Sequence, residues 1–272
     1  SKGTRTKLSI VTALSHGSRL LVLDEPTSGL DPVVRDDILD LLWEFVQDEQ
    51  NAVLISSHIT SDLEKLADVL RGTNVMVISD EIYAELTYTG RHVSIASIGD
   101  MAERTVLING FSKAFAMTGW RVGFVCAPEE IDEAMFKIHQ YAIMCAPRMS
   151  QHAANSALAE GFSDGFATVE EMRAEYGRRG GFMVNAFNSL GLKCFSPKGA
   201  FYVFPSVEST GLDGDEFANR LLTEKKVAVV PGEAFGEAGK WHVRCSYATG
   251  MAQLAEAIER IYEEVSISSL FD

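Results

Sequence analysis

Long apolar runs are missing from this sequence. None reaches the about 18 residues that a membrane-spanning helix needs, so direct membrane insertion is not expected. Cysteine is scarce. Cys126, Cys145, Cys194 and Cys245 lie far apart, no Cys-x-x-Cys occurs, and no histidine pair sits at ligand spacing. That pattern argues against a disulfide framework or a zinc cluster and predicts buried free thiols in a reducing compartment. Basic residues are in deficit: 24 Lys and Arg stand against 38 Asp and Glu, a net charge of −14 with no basic stripe. Nucleic acid is therefore not an expected partner. The first residues, Ser1-Lys-Gly-Thr-Arg-Thr-Lys7, hold no apolar h-region, so no signal peptide is expected and the cytoplasm is the default location.

What is there suits a large core. The 272 residues, 46% of them apolar, are enough for one large or two ordinary domains. Residues 4–16 read as a helix. Leu20-Leu-Val-Leu23 and Ala52-Val-Leu-Ile-Ser56 are short continuous apolar runs of the kind that form buried parallel strands, and Val75–Ser79 and Thr105–Asn109 repeat the pattern. Between them, 33–50 and 60–70 carry helical spacing, the first with Pro32 near its start. Arg121–Ala127 reads as a further strand, and 131–141, 149–158 and 169–190 as helices. Later come short strands at 193–195, 200–204, 227–230 and 242–246, with helices over 216–222 and 251–265. The expected fold is α/β, a mainly parallel sheet with helices on both faces, followed by a smaller C-terminal α+β domain.

Several side chains fall where such a sheet binds ligands, at the carboxyl ends of its strands. Asp80 ends the third strand; it is either a loop or capping carboxylate, or a partner for a protonated pyridine nitrogen. Tyr83, three residues on, can donate to a phenolic oxygen. Lys113 follows the fourth strand, with Ser112 before it and Gly119, Arg121 and Gly123 after it. A lysine there can form a Schiff base with pyridoxal phosphate, while the hydroxyl and guanidinium reach the phosphate. Arg244, among apolar and small residues, needs a partner. That partner is either one of the many acids or a substrate α-carboxylate held bidentately.

The segments Val77-Ile-Ser-Asp-Glu-Ile-Tyr-Ala-Glu-Leu86, Gly110-Phe-Ser-Lys-Ala-Phe-Ala-Met-Thr-Gly-Trp-Arg121, Lys198-Gly-Ala-Phe-Tyr-Val-Phe-Pro205, Val230-Pro-Gly-Glu-Ala-Phe-Gly236 and Val243-Arg-Cys-Ser-Tyr247 resemble the class I/II pyridoxal-phosphate aminotransferases of fold type I. The resemblance covers about residues 73–267. It implies amino-group transfer between an amino acid and a 2-oxo acid, and a homodimer with sites between subunits. It gives Asp80 the pyridine nitrogen, Tyr83 the phenolic oxygen, Ser112 and Arg121 the phosphate, Lys113 the aldehyde and Arg244 the substrate carboxylate. The family's Gly-rich phosphate turn, cofactor-stacking ring and Asn near the phenolic oxygen have no counterpart in residues 1–72, and impaired turnover is expected.

Those residues carry another pattern, Leu20-Leu-Val-Leu-Asp-Glu-Pro-Thr-Ser-Gly-Leu-Asp-Pro32, with His58 after the next strand. An acidic strand end plus a core histidine is the plain account of it. The alternative is a resemblance, over about residues 1–70, to the C-terminal part of an ATP-binding cassette ATPase. That implies a signature remnant at Ser1 and Gly3, water-mediated Mg²⁺ at Asp24, a catalytic Glu25, a D-loop Asp31 and a γ-phosphate contact at His58. ATP and Mg²⁺ are then implied only if the missing Gly-rich phosphate loop were supplied. The expected organisation is a nucleotide-binding fragment over 1–71, an aminotransferase large-domain part over 72–148 and a small domain over 149–272. The first part is expected to extend the sheet of the second. Three functional outcomes follow: an aminotransferase, an ATP-hydrolysing transporter subunit, or an inert chimera.

Overall fold

The computed structural model describes residues 8, 10–12, 14, 19–24, 32–48, 50–56 and 60–268. They fall into two units. One holds residues 1–84 and 92–157, the other 85–91 and 158–272.

In the first unit, strands β1 (Leu20–Asp24) and β2 (Ala52–Ser56) pair in parallel, with Asp24 opposite Ser56. Helix α1 (Pro32–Val46) joins them, opening on a proline whose missing N–H costs nothing at a helix start. Its Ile38, Leu39 and Leu42 recur at helical spacing and are buried against Ile10 and Leu21. Helix α2 (Thr60–Leu70) follows. It ends in a turn whose Gly72 takes a left-handed φ of 78°, where a side chain would be strained. The earlier residues 4–16 are helical at Leu8, Ile10–Thr12 and Leu14; the rest of that stretch lies outside the described residues.

Beyond the turn, β3 (Val77–Asp80) and β4 (Thr105–Gly110) are parallel and β5 (Gly123–Cys126) is antiparallel to β4. These three form their own sheet, separate from β1 and β2. The expectation of one continuous, mainly parallel sheet is therefore corrected: no backbone ladder joins β2 to β3. Side chains join them instead. Val46, Ala67, Leu70, Ile95 and Met101 make one buried cluster with Val53, Val75 and Val77 packed on it. Arg104 adds polar stitching. Its Nη1 donates to Leu70 O at 2.9 Å and Thr73 O at 2.7 Å, satisfying carbonyls freed where α2 ends. Helix α3 (Glu129–Ala142) opens with three acids in its first turn, which suits the positive end of its dipole. Helix α4 (Arg148–Asp164) then runs across the unit boundary.

The second unit has long helices α5 (Ala167–Ser189) and α7 (Met251–Ser268), with the short α6 (Gly214–Arg220) between them. Asp213 caps α6, its carboxylate accepting from Glu216 N at 2.9 Å. Strands β6 (Tyr202–Val203), β7 (Val230–Pro231) and β8 (Val243–Ser246) form an antiparallel sheet in the order β6-β8-β7. Phe187, Phe217, Leu221, Tyr247 and Ile261 are buried in its core. The strand expected at 193–195 does not form. Asn188 explains this, since its amide donates to Cys194 O and its oxygen accepts from Cys194 N, each at 3.0 Å. Both backbone groups that a ladder would use are thus taken.

Segment 85–91 belongs to this unit through specific bonds. Tyr88 N donates to Lys198 O at 2.8 Å, Ala200 N to Leu86 O at 3.0 Å, and Arg173 Nη1 to Thr87 O at 3.0 Å. The Tyr88 hydroxyl donates to Ala200 O and lies 3.2 Å from the Tyr247 hydroxyl. All four cysteines are free. Cys194 and Cys245 are buried as expected, but Cys126 and Cys145 are exposed, which corrects the expectation for that pair. Burial pushes the Cys194 thiol up to about 11. Among the described residues no helix is long and apolar enough to cross a membrane.

Candidate active site

The register of the three-stranded sheet decides which side chains share an edge. Asp80 pairs with Ile108 across parallel strands, and Gly110 pairs with Gly123 across antiparallel ones. The carboxyl ends of β3 and β4 and the amino end of β5 therefore lie at the same edge. Asp80 closes β3, Ser112 and Lys113 follow β4, and Arg121 precedes β5. Tyr83 follows in the turn after Asp80. All five positions singled out in this part of the sequence depart from one sheet edge.

Local structure explains how each is held. The Asp80 carboxylate is exposed and accepts from Ile82 N at 3.1 Å, a side-chain turn that bends the chain toward Tyr83. Ala84 N donates to Glu81 O at 2.9 Å and closes the bend. Tyr83 and Lys113 are half-buried, and the Lys113 ammonium stands 5.5 Å from the centroid of the Tyr83 ring, within cation–π range. Ser112 is half-buried. Arg121 is exposed, takes a left-handed backbone with φ 52°, and donates from Nη1 to Thr118 O at 3.0 Å.

Where β4 meets β5, two glycines face each other. A Cβ on Gly110 would lie 2.8 Å from Gly123 Cα, so the approach needs bare backbone at Gly110, while one on Gly123 would press on Asn109 O at 3.0 Å. It draws the segment carrying Ser112 and Lys113 close to the one carrying Arg121.

Arg244 is in the second unit, on β8. Its guanidinium lies between two rings, 4.6 Å from the Tyr202 centroid and 4.5 Å from that of Phe235. Several acids of this unit pair with other cations: Glu170 with Arg173, Glu175 with Arg178 and Arg179, Glu216 and Glu264 with Arg220, Glu256 with Arg260, Glu263 with Lys225. None of the ion pairs among the described residues engages Arg244. A guanidinium held against rings and engaged in none of these ion pairs is suited to take a carboxylate bidentately.

Two features were not singled out in the sequence. Phe235 completes the Arg244 clamp, and its only sequence signal is its place in Gly232-Glu-Ala-Phe-Gly236. The other is a buried acid, Glu81, which meets His92, Ser94 and Ser79. Burial pushes its carboxyl up, but the bonds from His92 and Ser94, the His92 charge and the Ser79 bond together outweigh that and leave it lowered. Of the residues assigned to a nucleotide site, Ser1, Gly3, Glu25, Asp31 and His58 lie outside the described residues. Asp24 is described in its backbone alone, as the last residue of β1. Among the described residues no group of three or more His, Cys, Asp or Glu is placed to hold a metal.

The donor set at the sheet edge fits pyridoxal phosphate: an amine for its aldehyde, a carboxylate for its pyridine nitrogen, a phenol for its ring oxygen, a hydroxyl and a guanidinium for its phosphate. The family described as "Aminotransferase class I and II" matches residues 60–261, and the chain belongs to it. Helix α2 thus falls inside the family match, whereas the sequence resemblance begins at about residue 73.

The chain is 49% identical over 224 residues to the putative aminotransferase YugH of Bacillus subtilis, covering 79% of this chain and 57% of that protein. It is 45% identical over 232 residues to an aspartate aminotransferase of Pyrococcus abyssi, covering 82% and 59%. The solved structure of an aromatic aminotransferase from Pyrococcus horikoshii superposes with a TM-score of 0.76 at 40% identity, covering 96% of this chain and 64% of that one. The chain therefore spans somewhat under three fifths of the length of these two curated relatives.

Proposed function

We propose that the protein is a pyridoxal-phosphate-dependent aminotransferase, moving an amino group between an amino acid and a 2-oxo acid. The observation that carries this is the convergence of Asp80, Tyr83, Ser112, Lys113 and Arg121 on one sheet edge, supported by family membership. When bound, the cofactor supplies an electron sink that weakens the bonds at the substrate Cα. Lys113 would hold its aldehyde carbon through Nζ, and the amine released when the substrate's amino group takes its place on that carbon would be the group available to carry a proton to and from Cα. Asp80 keeps the pyridine nitrogen protonated. Tyr83 orients the ring oxygen through its hydroxyl. Ser112 and Arg121 bind the phosphate, Arg121 by exchanging its bond to Thr118 O for charged oxygens. Arg244, held by Tyr202 and Phe235, binds the α-carboxylate.

Dicarboxylic and aromatic amino acids are the proposed substrates, following the relatives named aspartate and aromatic-amino-acid aminotransferases. A homodimer in the cytoplasm is part of the same proposal, as is a division into a cofactor-binding part over 72–148 and a small domain over 149–272. The test is titration with pyridoxal phosphate, borohydride reduction and peptide mass spectrometry. The expected result is one adduct, at Lys113. An adduct elsewhere, or none at saturating cofactor, overturns the proposal and leaves an inert fold.

For the first part of the chain, a nucleotide-binding origin is a second reading. It is favoured by the parallel pairing of β1 with β2, which sets Asp24 at a strand tip beside Ser56. ATP-dependent melting shifts that Glu25→Gln alters would support it. No shift at saturating MgATP overturns it.

A further inference from the structure

Glu81 is an acid that the proposed chemistry does not use, yet it sits between Asp80 and Ile82 and is only 6% exposed. A carboxylate so placed survives only with donors around it. It has three. Its Oε1 accepts from Ser94 Oγ at 2.7 Å and Ser79 Oγ at 3.0 Å, and its Oε2 accepts from His92 Nε2 at 2.8 Å. Ser94 Oγ in turn accepts from Ala96 N at 3.2 Å, and Glu81 N donates to Ile108 O at 2.9 Å.

The positions of these donors give the cluster its meaning. The chain leaves the first unit after Ala84 and returns to it at His92. Ser79 precedes the departure, and His92 and Ser94 follow the return. The clasp therefore ties both ends of the excursion to Glu81, whose own amide is bonded to β4.

We propose that Glu81 is a positioning residue of the cofactor site: its clasp with His92 and Ser94 fixes the 80–84 turn, so that Asp80 stays at the sheet edge and the Tyr83 ring stays against Lys113. The proposal rests on the aminotransferase reading. Charge-assisted bonds of this kind are the strong ones, and replacing the carboxylate by an amide puts an N–H where a donor already points.

The test uses the full chain. In the cofactor-free protein, Glu81→Gln is expected to speed amide exchange at Ile82 and Ala84 by at least about tenfold while the β4 amides stay unchanged. With cofactor, the Kd for pyridoxal phosphate is expected to rise by about tenfold or more, and the pH midpoint of the bound cofactor's visible band to move. His92→Gln, whose amide can still donate to Glu81, should keep both exchange and cofactor affinity near wild type. A role in stability alone would lower Tm and leave the midpoint in place. Should Glu81→Gln fail to fold, Ser94→Ala, which removes one donor, is read in the same way. A folded variant with wild-type exchange at Ile82 and Ala84 and wild-type affinity overturns the positioning role alone. Absence of binding by the wild type overturns the aminotransferase reading and this role together.

Discussion

Lys113 Nζ lies 5.5 Å from the centroid of the Tyr83 ring, although all of β4 separates the two in sequence. Two residues brought together by parallel pairing of β3 with β4 can be tested separately. Lys113→Ala should abolish the borohydride-reducible adduct outright. Tyr83→Phe keeps the ring but removes the hydroxyl proposed to donate to the cofactor. It should weaken cofactor affinity by about tenfold, as an equilibrium titration would show.

Arg244→Lys should behave as a loss, not as a conservative change. The ammonium cannot present two parallel donors, nor a planar group to the Tyr202 and Phe235 rings. The KM for the amino acid should rise by about 10- to 100-fold, with a smaller fall in kcat. Phe235→Leu should give a milder rise in KM at unchanged cofactor affinity. Steady-state kinetics with the variants measures both.

Glu81 predicts a pH dependence of stability. Its folded carboxyl titrates below the ordinary value of 4.5, so the folded state favours the ionised form. The stabilisation is fully present above that value and is lost as pH falls through the lower folded value. Melting temperatures of the wild type should therefore drop as acid is added below about pH 4.5, and those of Glu81→Gln should drop less over that window.

Arg104→Ala should destabilise the first unit. It takes a charged donor from the carbonyls of Leu70 and Thr73; Leu70 O keeps the N–H and hydroxyl of Thr73, so Thr73 O is the acceptor left behind. With one carbonyl left without this donor, the cost is about 1–2 kcal/mol, readable as a shift in the urea midpoint at unchanged slope.

Thiol labelling should divide the cysteines evenly. Cys126 and Cys145 should react in the native protein, while Cys194 and Cys245 react only after unfolding. Alkylation followed by peptide mapping distinguishes them.

The alternation of strands and helices was legible because each buried strand is a short apolar run and each helix repeats its apolar residues at helical spacing. The break between β2 and β3 was not, since both runs look alike and nothing local records whether their edges meet. The stretch 193–195 has strand composition, but Asn188 intercepts its backbone, a contact decided by how α5 ends. Asp80, Tyr83 and Lys113 stood out because chemistry and strand ends coincide in the sequence. Arg244 was visible as a cation lacking an obvious partner. That its neighbours are rings instead of acids depends on the pairing of β7 with β8, which brings the Phe235 region alongside. Glu81 was passed over because its donors arrive from beyond an excursion into the other unit.

That excursion has a consequence for anyone who wishes to cut the molecule in two. A clone stopping at residue 157 would carry away residues 85–91, and with them the Tyr88 hydroxyl that meets Ala200 and Tyr247. The remainder, 158–272, would be left with a gap where Leu86 and Thr87 had bonded to Ala200 and Arg173. Supplying that heptapeptide, by circular permutation or as an added strand, is thus the condition for obtaining the C-terminal half intact.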